Sequence, residues 1–586
     1  MTFDRAVGFA VLRGVDDRQA AAARGALDRL LAHMPWLRVA EEHAGTARLV
    51  VWGHGDVATA MRRDADGGLV AAIGDAPPGA AGDVQPSQGV PWEGRGVAVR
   101  VAPDGREVEA AVDWTGSIPV FHAAAGPALI VSSLEPMVVE GLDLGPVDFD
   151  RVGLVSLLVH GYFLGDRTLF GSMRLLRPDH AARWSPEGHA ERPLGTLTPS
   201  QERWSAGWDD LAEEMAAGFR RAIRRTLAGA PRWVLPLSGG IDSRLIAAVA
   251  AEDGVDLTAV SYGPAGWSDV IYARRLARRL GIPWRRVDLD DRYLADFTPL
   301  WADWFGSALH FHGMYQMPFL TSVRDVDRRI ATGFTGDPLG GAQTEGMAAG
   351  DRPMAQRLSD KWHVWTREQL RRLLRDDPTD AFAALDEELD RQWAELVGED
   401  YQRTWLIFQS NHVARFSSYQ PLMYDYWKGV GTPFVDRELA AFTLSLPRVA
   451  LEGRRLQALM IRRHFPAVAT VPDTHHLGPI ASSRAHLARA ALAAVVPRGL
   501  RRGPLREFNP VANTQDQDAA RAGGTAAVWP LFESLEALRE HVDVDMVLAE
   551  HRAALAGDLT SITRIEAIQA LAFRLAGVPT PTTAAA

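Results

Sequence analysis

Six consecutive residues, Ser238-Gly239-Gly240-Ile241-Asp242-Ser243, carry the clearest chemical signal in the chain. Gly239 and Gly240 permit tight turns and let an anion come close to the backbone. Ser238 and Ser243 can donate hydroxyl hydrogen bonds to phosphate oxygens. A helix expected to start at Ser243 would point free N–H groups and its positive dipole end at the same place. Asp242 cannot attract phosphate directly, so its sensible role is to hold Mg2+. The downstream run Gly333-Phe334-Thr335-Gly336-Asp337 brings a second aspartate, and Asp337 is the natural second Mg2+ ligand. A third glycine-bearing loop is Ser261-Tyr262-Gly263. The hexapeptide is not a Walker loop: the G-x-x-x-x-G-K-[ST] spacing is absent, and no lysine lies nearby. A glycine-rich turn that only joins strand to helix is the alternative, and the second Gly/Asp loop weighs against it.

The elements that must position these loops follow from periodicity. Trp233 to Leu237, Leu257 to Tyr262, Trp284 to Leu289 and Arg329 to Thr332 read as short apolar strands. Leu211 to Leu227, Ser243 to Glu252 and Ser268 to Leu280 read as helices. Strand–loop–helix repeats predict a doubly wound parallel sheet, whose ligands bind at the carboxyl ends of the strands. All three loops fall there. The first 190 or so residues read instead as β-rich, in short runs such as Ala47 to Trp52 and Gly96 to Val101. Ala76 to Gly94 is expected to be a long surface loop, and the polar stretch Gly195 to Ser205 a domain boundary. From about residue 360 the chain reads as mostly helical.

Composition narrows the class. The chain has 586 residues, which suggests two or three domains, and 47% hydrophobic with 23% charged residues fits a soluble globular protein. A formal charge of −10 argues against nucleic acid or an anionic membrane as the main partner. There is no apolar stretch long enough to span a bilayer, and Met1 to Arg5 lacks the features of a signal peptide, so a cytoplasmic location is expected. Cysteine is absent, which removes disulfides, thiolate metal sites and cysteine nucleophiles. Lysine occurs only at Lys361 and Lys428.

Leu237 to Ser243 resembles the pyrophosphate loop of the N-type ATP pyrophosphatases, and the wider arrangement is similar to asparagine synthetase and its relatives, including β-lactam synthetases and lasso peptide cyclases. Asp113 to Pro119, Val131 to Glu135, and Gly161-Tyr162 through Thr168-Leu169-Phe170 to Leu176-Arg177-Pro178 look like the family's glutaminase-type domain. Thr432 to Asp436 followed by Leu444 to Pro447 matches a further family segment. The resemblance implies an N-terminal glutaminase-like α+β sandwich of the Ntn type over residues 1–195. It implies an ATP-pyrophosphatase domain with a helical C-terminal region over 206–578, and 579–586 is expected to be a disordered tail. It implies ATP cleaved between its α and β phosphates to give an acyl-adenylate. The implied nucleotide site comprises Leu237, Ser238, Gly239, Gly240, Ile241, Asp242, Ser243, Ser261, Tyr262, Gly263, Gly333 and Gly336, with Asp242 and Asp337 on Mg2+.

The chain departs from that family in informative places. Glutamine-dependent members carry a cysteine after the initiator methionine, where this chain has Thr2. Phe334 stands where asparagine synthetases carry glutamate and β-lactam synthetases tyrosine. Thr474 stands at the family's phosphate-stabilising lysine, with His475, His476 or Lys428 as its expected substitutes. Arg244 faces phosphate or makes a structural pair. Trp301 to Trp304 reads as core or as the wall of a substrate cleft, and His310 and His312 alternate without an apparent third metal ligand. With no glutaminase cysteine, the amine is expected to come from the substrate itself, as in lasso peptide cyclases. These adenylate an Asp or Glu side chain of a precursor core peptide and close a ring with its N-terminal amine. A leader-binding protein and a leader peptidase are the implied partners. Two alternatives stay open: an amide-forming synthetase acting on a small amino acid derivative, and a catalytically silent scaffold.

Overall fold

The computed structural model describes residues 4–289, 292–308, 311–341, 363–474 and 538–556, with 357, 480, 488, 561, 564–568 and 571 besides. Strands Arg5–Arg13, Arg38–Ala44, Ala47–His54, Phe121–Ala125, Ala128–Ser132 and Met173–Leu175 make one six-stranded sheet. Met61–Arg63, Leu69–Gly74, Gly96–Val101, Val108–Val112, His180–Ser185 and Gly188–Pro193 make a second. Every pairing in both is antiparallel. The two-residue period of a strand sorts the second sheet's side chains. Leu69, Ala71 and Ile73 join the core shared with the first sheet, whereas Val70 and Ala72 face the other way.

Two expectations change here. The segment from Ala76 to Gly94 is more than a surface loop: Ala80, Ala81, Val84, Val90 and Trp92 are buried against the outer face of the second sheet, beside Val70 and Ala72. The β-rich reading also passes over a 17-residue helix, Asp17–His33. Its start is written in the sequence as a capping box. Asp16 Oδ1 accepts from the Gln19 N–H at 2.7 Å, and Gln19 Oε1 accepts from the Asp16 N–H at 3.0 Å. The alanine run that follows buries Ala20, Ala23, Ala26, Leu27 and Leu30 along one side.

After the helix Trp208–Leu227 the chain builds a five-stranded sheet, parallel throughout. Its spatial order is Trp284–Val287, Asp256–Tyr262, Arg232–Pro236, Arg329–Ala331, Val430–Gly431. In chain order the first strand, Arg232–Pro236, lies at the centre. The next two build outward on one side and the last two on the other. The junction between Arg232–Pro236 and Arg329–Ala331 is therefore the point where crossovers leave in opposite directions, which opens a crevice at the strands' carboxyl ends. The fifth strand, of only two residues, was not anticipated. The expected strand starting at Trp284 ends at Val287, and the helix expected from Ser243 begins at Ile241. Trp301 is fully buried and Trp304 nearly so, in the core. Among the described residues, no helix is long and apolar enough to cross a membrane.

A buried ion cluster ties the antiparallel sheets to the rest. Asp425, on the helix Tyr419–Lys428, accepts from Arg95 Nη2 at 2.6 Å and pairs with Arg5 Nε at 2.7 Å. Arg5 also pairs with Asp75, which accepts from Thr432 Oγ1 at 2.8 Å. Burial alone would raise the Asp75 pKa, but Arg5 and Arg95 outweigh it and hold the carboxyl down at about 2.

Removing one member strands the others in a dry place, so Arg95→Met should cost about 3–5 kcal/mol in denaturant unfolding. Asp75, with its folded pKa near 2 against an ordinary 3.8, stabilises the fold above 3.8 and loses that contribution as pH falls towards 2. Asp75→Asn should flatten that part of the acid-unfolding curve.

Candidate active site

The crevice at the crossover junction is a cleft of about 360 Å³. The loop after the central strand forms one side of it and the loop after the fourth strand the other. Its lining includes Ser238, Gly240, Ile241, Asp242, Ser243, Tyr262, Gly333, Phe334 and Asp337. Leu237, Gly239, Ser261, Gly263 and Gly336 stand behind this surface. Ser261 Oγ donates to the Leu237 carbonyl at 2.7 Å and accepts from Trp284 Nε1 at 3.0 Å, which locks the second strand under the glycine loop. Gly263, in the left-handed region at φ +113°, lies against the Trp267 indole, where a Cβ would collide.

Within the glycine loop the hydroxyls are ordered by the backbone. Ser243 Oγ accepts from the Ser238 N–H at 3.2 Å, and Ser238 Oγ accepts from the Gly240 N–H at 3.1 Å. The Gly239 N–H donates to Asp269 Oδ1 at 2.9 Å. Arg244 is completely buried and structural. Its guanidinium donates to the carbonyls of Gly239, Val468, Val471 and Pro472, which moors the loop to the segment before Thr474. Thr474 itself packs on the loop: a Cβ on Gly239 would lie 2.6 Å from its Cγ2.

The two aspartates meet because of the glycines between them. A Cβ on Gly336 would stand 2.5 Å from Asp242 Cγ, and one on Gly333 would stand 2.8 Å from Asp242 Cβ. Asp242 thus fills the space that side chains at 333 and 336 would take. Burial and then the neighbouring Asp337 carboxyl, to which it is hydrogen-bonded, push the Asp242 pKa well up, while Arg454 works against both. Arg454 Nη2 lies 2.6 Å from Asp337 Oδ1 and 3.4 Å from Asp242 Oδ1. Thr335, between Phe334 and Gly336, holds the loop's bend at a left-handed φ of +66°.

The far wall is a π-helix, Gln409–Ser417. Its wider turn aligns Phe408, His412 and Phe416 into a stack, with ring centroids 4.8 Å apart at both steps. All three line the cleft beside Tyr315 and Tyr419, and Gln316, Gln420 and Thr332 supply a polar strip. None of this wall, nor Arg454, was anticipated. Phe408-x3-His412-x3-Phe416 is the spacing of an ordinary buried stripe, and Arg454 sits in a run with no distinguishing pattern.

Not every expected residue arrives at the cleft. Lys428 does not: it ends the helix Tyr419–Lys428 ahead of the fifth strand, at the amino ends of the strands, where Asp327 and Asp325 are its electrostatic partners. A cation on the opposite edge of the sheet cannot reach phosphates at the carboxyl edge, so it is not the substitute for the lysine missing at Thr474. His475, His476 and His310 lie outside the described residues. Among the described residues, no group of three or more His, Cys, Asp or Glu side chains gathers as a metal site.

A family model for asparagine synthase matches residues 214–522, more than half of the chain, including both loops. Among solved structures, glutamine phosphoribosylpyrophosphate amidotransferase from B. subtilis, complexed with ADP and GMP, is similar at 12% identity. The likeness covers 49% of this chain and 67% of that one, at a TM-score of 0.21. No curated protein matches the chain.

The loop interlock makes a direct prediction. Gly336→Ala should push the Asp242 carboxylate aside and weaken ATP binding by on the order of tenfold in calorimetry, with the far-UV circular dichroism melt little changed.

Proposed function

The chain belongs to the asparagine synthase family, and from that premise we propose that it is an ATP-dependent lasso peptide cyclase. The family is one of ATP-dependent ligases that make carbon–nitrogen bonds and release AMP. In the proposed reaction, a side-chain carboxylate oxygen of an Asp or Glu in the core peptide attacks the α-phosphorus of ATP, and pyrophosphate leaves. The peptide's N-terminal amine then attacks the acyl carbon. AMP departs with the oxygen that came from the acid, and the amine loses its proton. The products are a macrolactam, AMP and pyrophosphate.

The observation that supports adenylation is the pair of loops at the crossover junction. Ser238, Ser243 and the amino end of the helix Ile241–Glu252 would cradle the pyrophosphate. Asp242 and Asp337 suit Mg2+, a hard cation usually held by one or two carboxylates together with substrate phosphates. When bound, Mg2+ supplies neutralisation of the charge on the leaving pyrophosphate. The backbone behind the loops, from Leu237 through Ser261, Gly263 and Gly336, sets the depth at which the nucleotide sits.

The finer reading rests on what the chain lacks and on the far wall. Without cysteine, no thiol is present to release ammonia from glutamine. Residues 1–195 are then a glutaminase-like Ntn-type domain retained as a structural partner for the ATP-pyrophosphatase domain at 206–578. Phe334 makes the acceptor side apolar, and with Phe408, Phe416, Tyr315 and Tyr419 it forms an aromatic wall against which a folded peptide can hold its amine near the adenylate. The proposed setting is the cytoplasm, with a leader-binding protein and a leader peptidase as partners.

A short peptide encoded beside the gene should lose one water in intact-mass spectrometry when incubated with enzyme and MgATP. Loss of water from a small amino acid derivative instead would favour the other synthetase reading. Asp242→Ala should cut ATP–pyrophosphate exchange by roughly 10²–10³-fold. Exchange at the wild-type rate in that variant would contradict an active site at this loop.

A further inference from the structure

Arg454 holds an unusual position. It and Gly453 are successive left-handed residues, at φ +55° and +61°, immediately before the helix Arg455–His464. A non-glycine residue in that region is strained, and such strain gathers at functional sites. Here the turn sends the side chain inward, where only 5% of it stays exposed. The guanidinium ends between the two carboxylates that the glycine loops bring together, 2.6 Å from one and 3.4 Å from the other. Its Nε is buried without a hydrogen-bond partner, so the fork is incompletely satisfied in this position. Arginine does not lose its proton, and its planar fork matches phosphate oxygens as well as carboxylates.

We propose that Arg454 is a built-in counter-cation of the metal seat. Its single charge offsets part of that of Asp242 and Asp337, and it moves to the triphosphate when metal and nucleotide arrive together. This deepens the adenylation reading and rests on it. With Arg454 in place, a second cation entering between the carboxylates is opposed by like charge. An arriving triphosphate offers the displaced guanidinium oxygens of its own, as charge-assisted hydrogen bonds. Divalent cation and nucleotide therefore favour each other's binding, and this coupling is reciprocal. The same movement places a fixed positive charge on phosphate in a chain that has Thr474 at the family's lysine position and Lys428 at the wrong edge of the sheet.

The test uses Mn2+ as the probe on the full-length protein, read by electron paramagnetic resonance of the free ion, with and without α,β-methylene-ATP. In the wild type the nucleotide analogue should tighten Mn2+ binding by about tenfold or more. Arg454→Met should bind Mn2+ about tenfold more tightly than wild type without nucleotide, and the analogue should then add little. Arg454→Lys, which keeps the charge, should stay near wild type. Arg454→Gln carries the same test if the methionine variant does not fold. Nucleotide-free Mn2+ affinity within about twofold of wild type in a folded charge-neutral variant overturns the proposal. If neither wild type nor variant binds the analogue at any Mn2+ concentration, the adenylation reading fails, and the nucleotide-free comparison still decides whether Arg454 guards the seat.

Discussion

Two carboxylates held side by side in one cleft, Asp242 mostly buried and Asp337 half-exposed, are the constraint on which the rest of the site depends. Like charges at that spacing cannot both stay ionised without compensation. The protein supplies it through Arg454, and in the proposed adenylation a divalent cation would add to it. The glycines at 333 and 336 follow from the same pair. They are the absence of side chains into which Asp242 fits, and their loop carries Asp337 to within reach. What looks in the sequence like two glycine-rich turns is one interlocked unit.

The fold explains why those turns meet. The central strand and its neighbour Arg329–Ala331 lie next to each other in space, yet almost a hundred residues separate them in the chain. Their loops rise on the same edge because the chain's crossovers diverge there. Arg244 extends the unit by tying the glycine loop to the segment 468–472. The ion cluster of Arg5, Asp75, Arg95 and Asp425 fastens the antiparallel sheets to the helix that begins at Tyr419, the end of the cleft's far wall. The N-terminal sheets thus brace the π-helix side of the cleft even though they offer no cysteine for chemistry.

Much of this could be read from residues alone, and the unread parts share a cause. The strands, the glycine loop and the Gly/Asp loop each announce themselves within a few neighbours, by an apolar run ending in glycine. The helix Asp17–His33 was equally local, with Asp16 and Gln19 at capping-box spacing, but the surrounding β-like runs obscured it. Arg454 had no local signature. Its importance comes from a backbone turn that aims it at residues more than a hundred positions earlier in the chain. The π-helix was invisible for a related reason, since its wider turn is imposed by packing and not by a pattern in the side chains. Lys428 shows the converse error. It lies only five residues from Pro433 in the sequence, but those residues include a strand that carries the chain to the other edge of the sheet.

Adenylation of a carboxylate in this cleft leaves a trace in where one oxygen atom ends up. The most direct measurement follows the oxygen. A substrate peptide labelled with ¹⁸O in both oxygens of its acceptor carboxyl group is incubated with the enzyme and MgATP, and the nucleotide product is analysed by mass spectrometry. Adenylation predicts AMP carrying one ¹⁸O atom for each ring closed. Unlabelled AMP, or ¹⁸O appearing in inorganic phosphate alongside ADP, would contradict it.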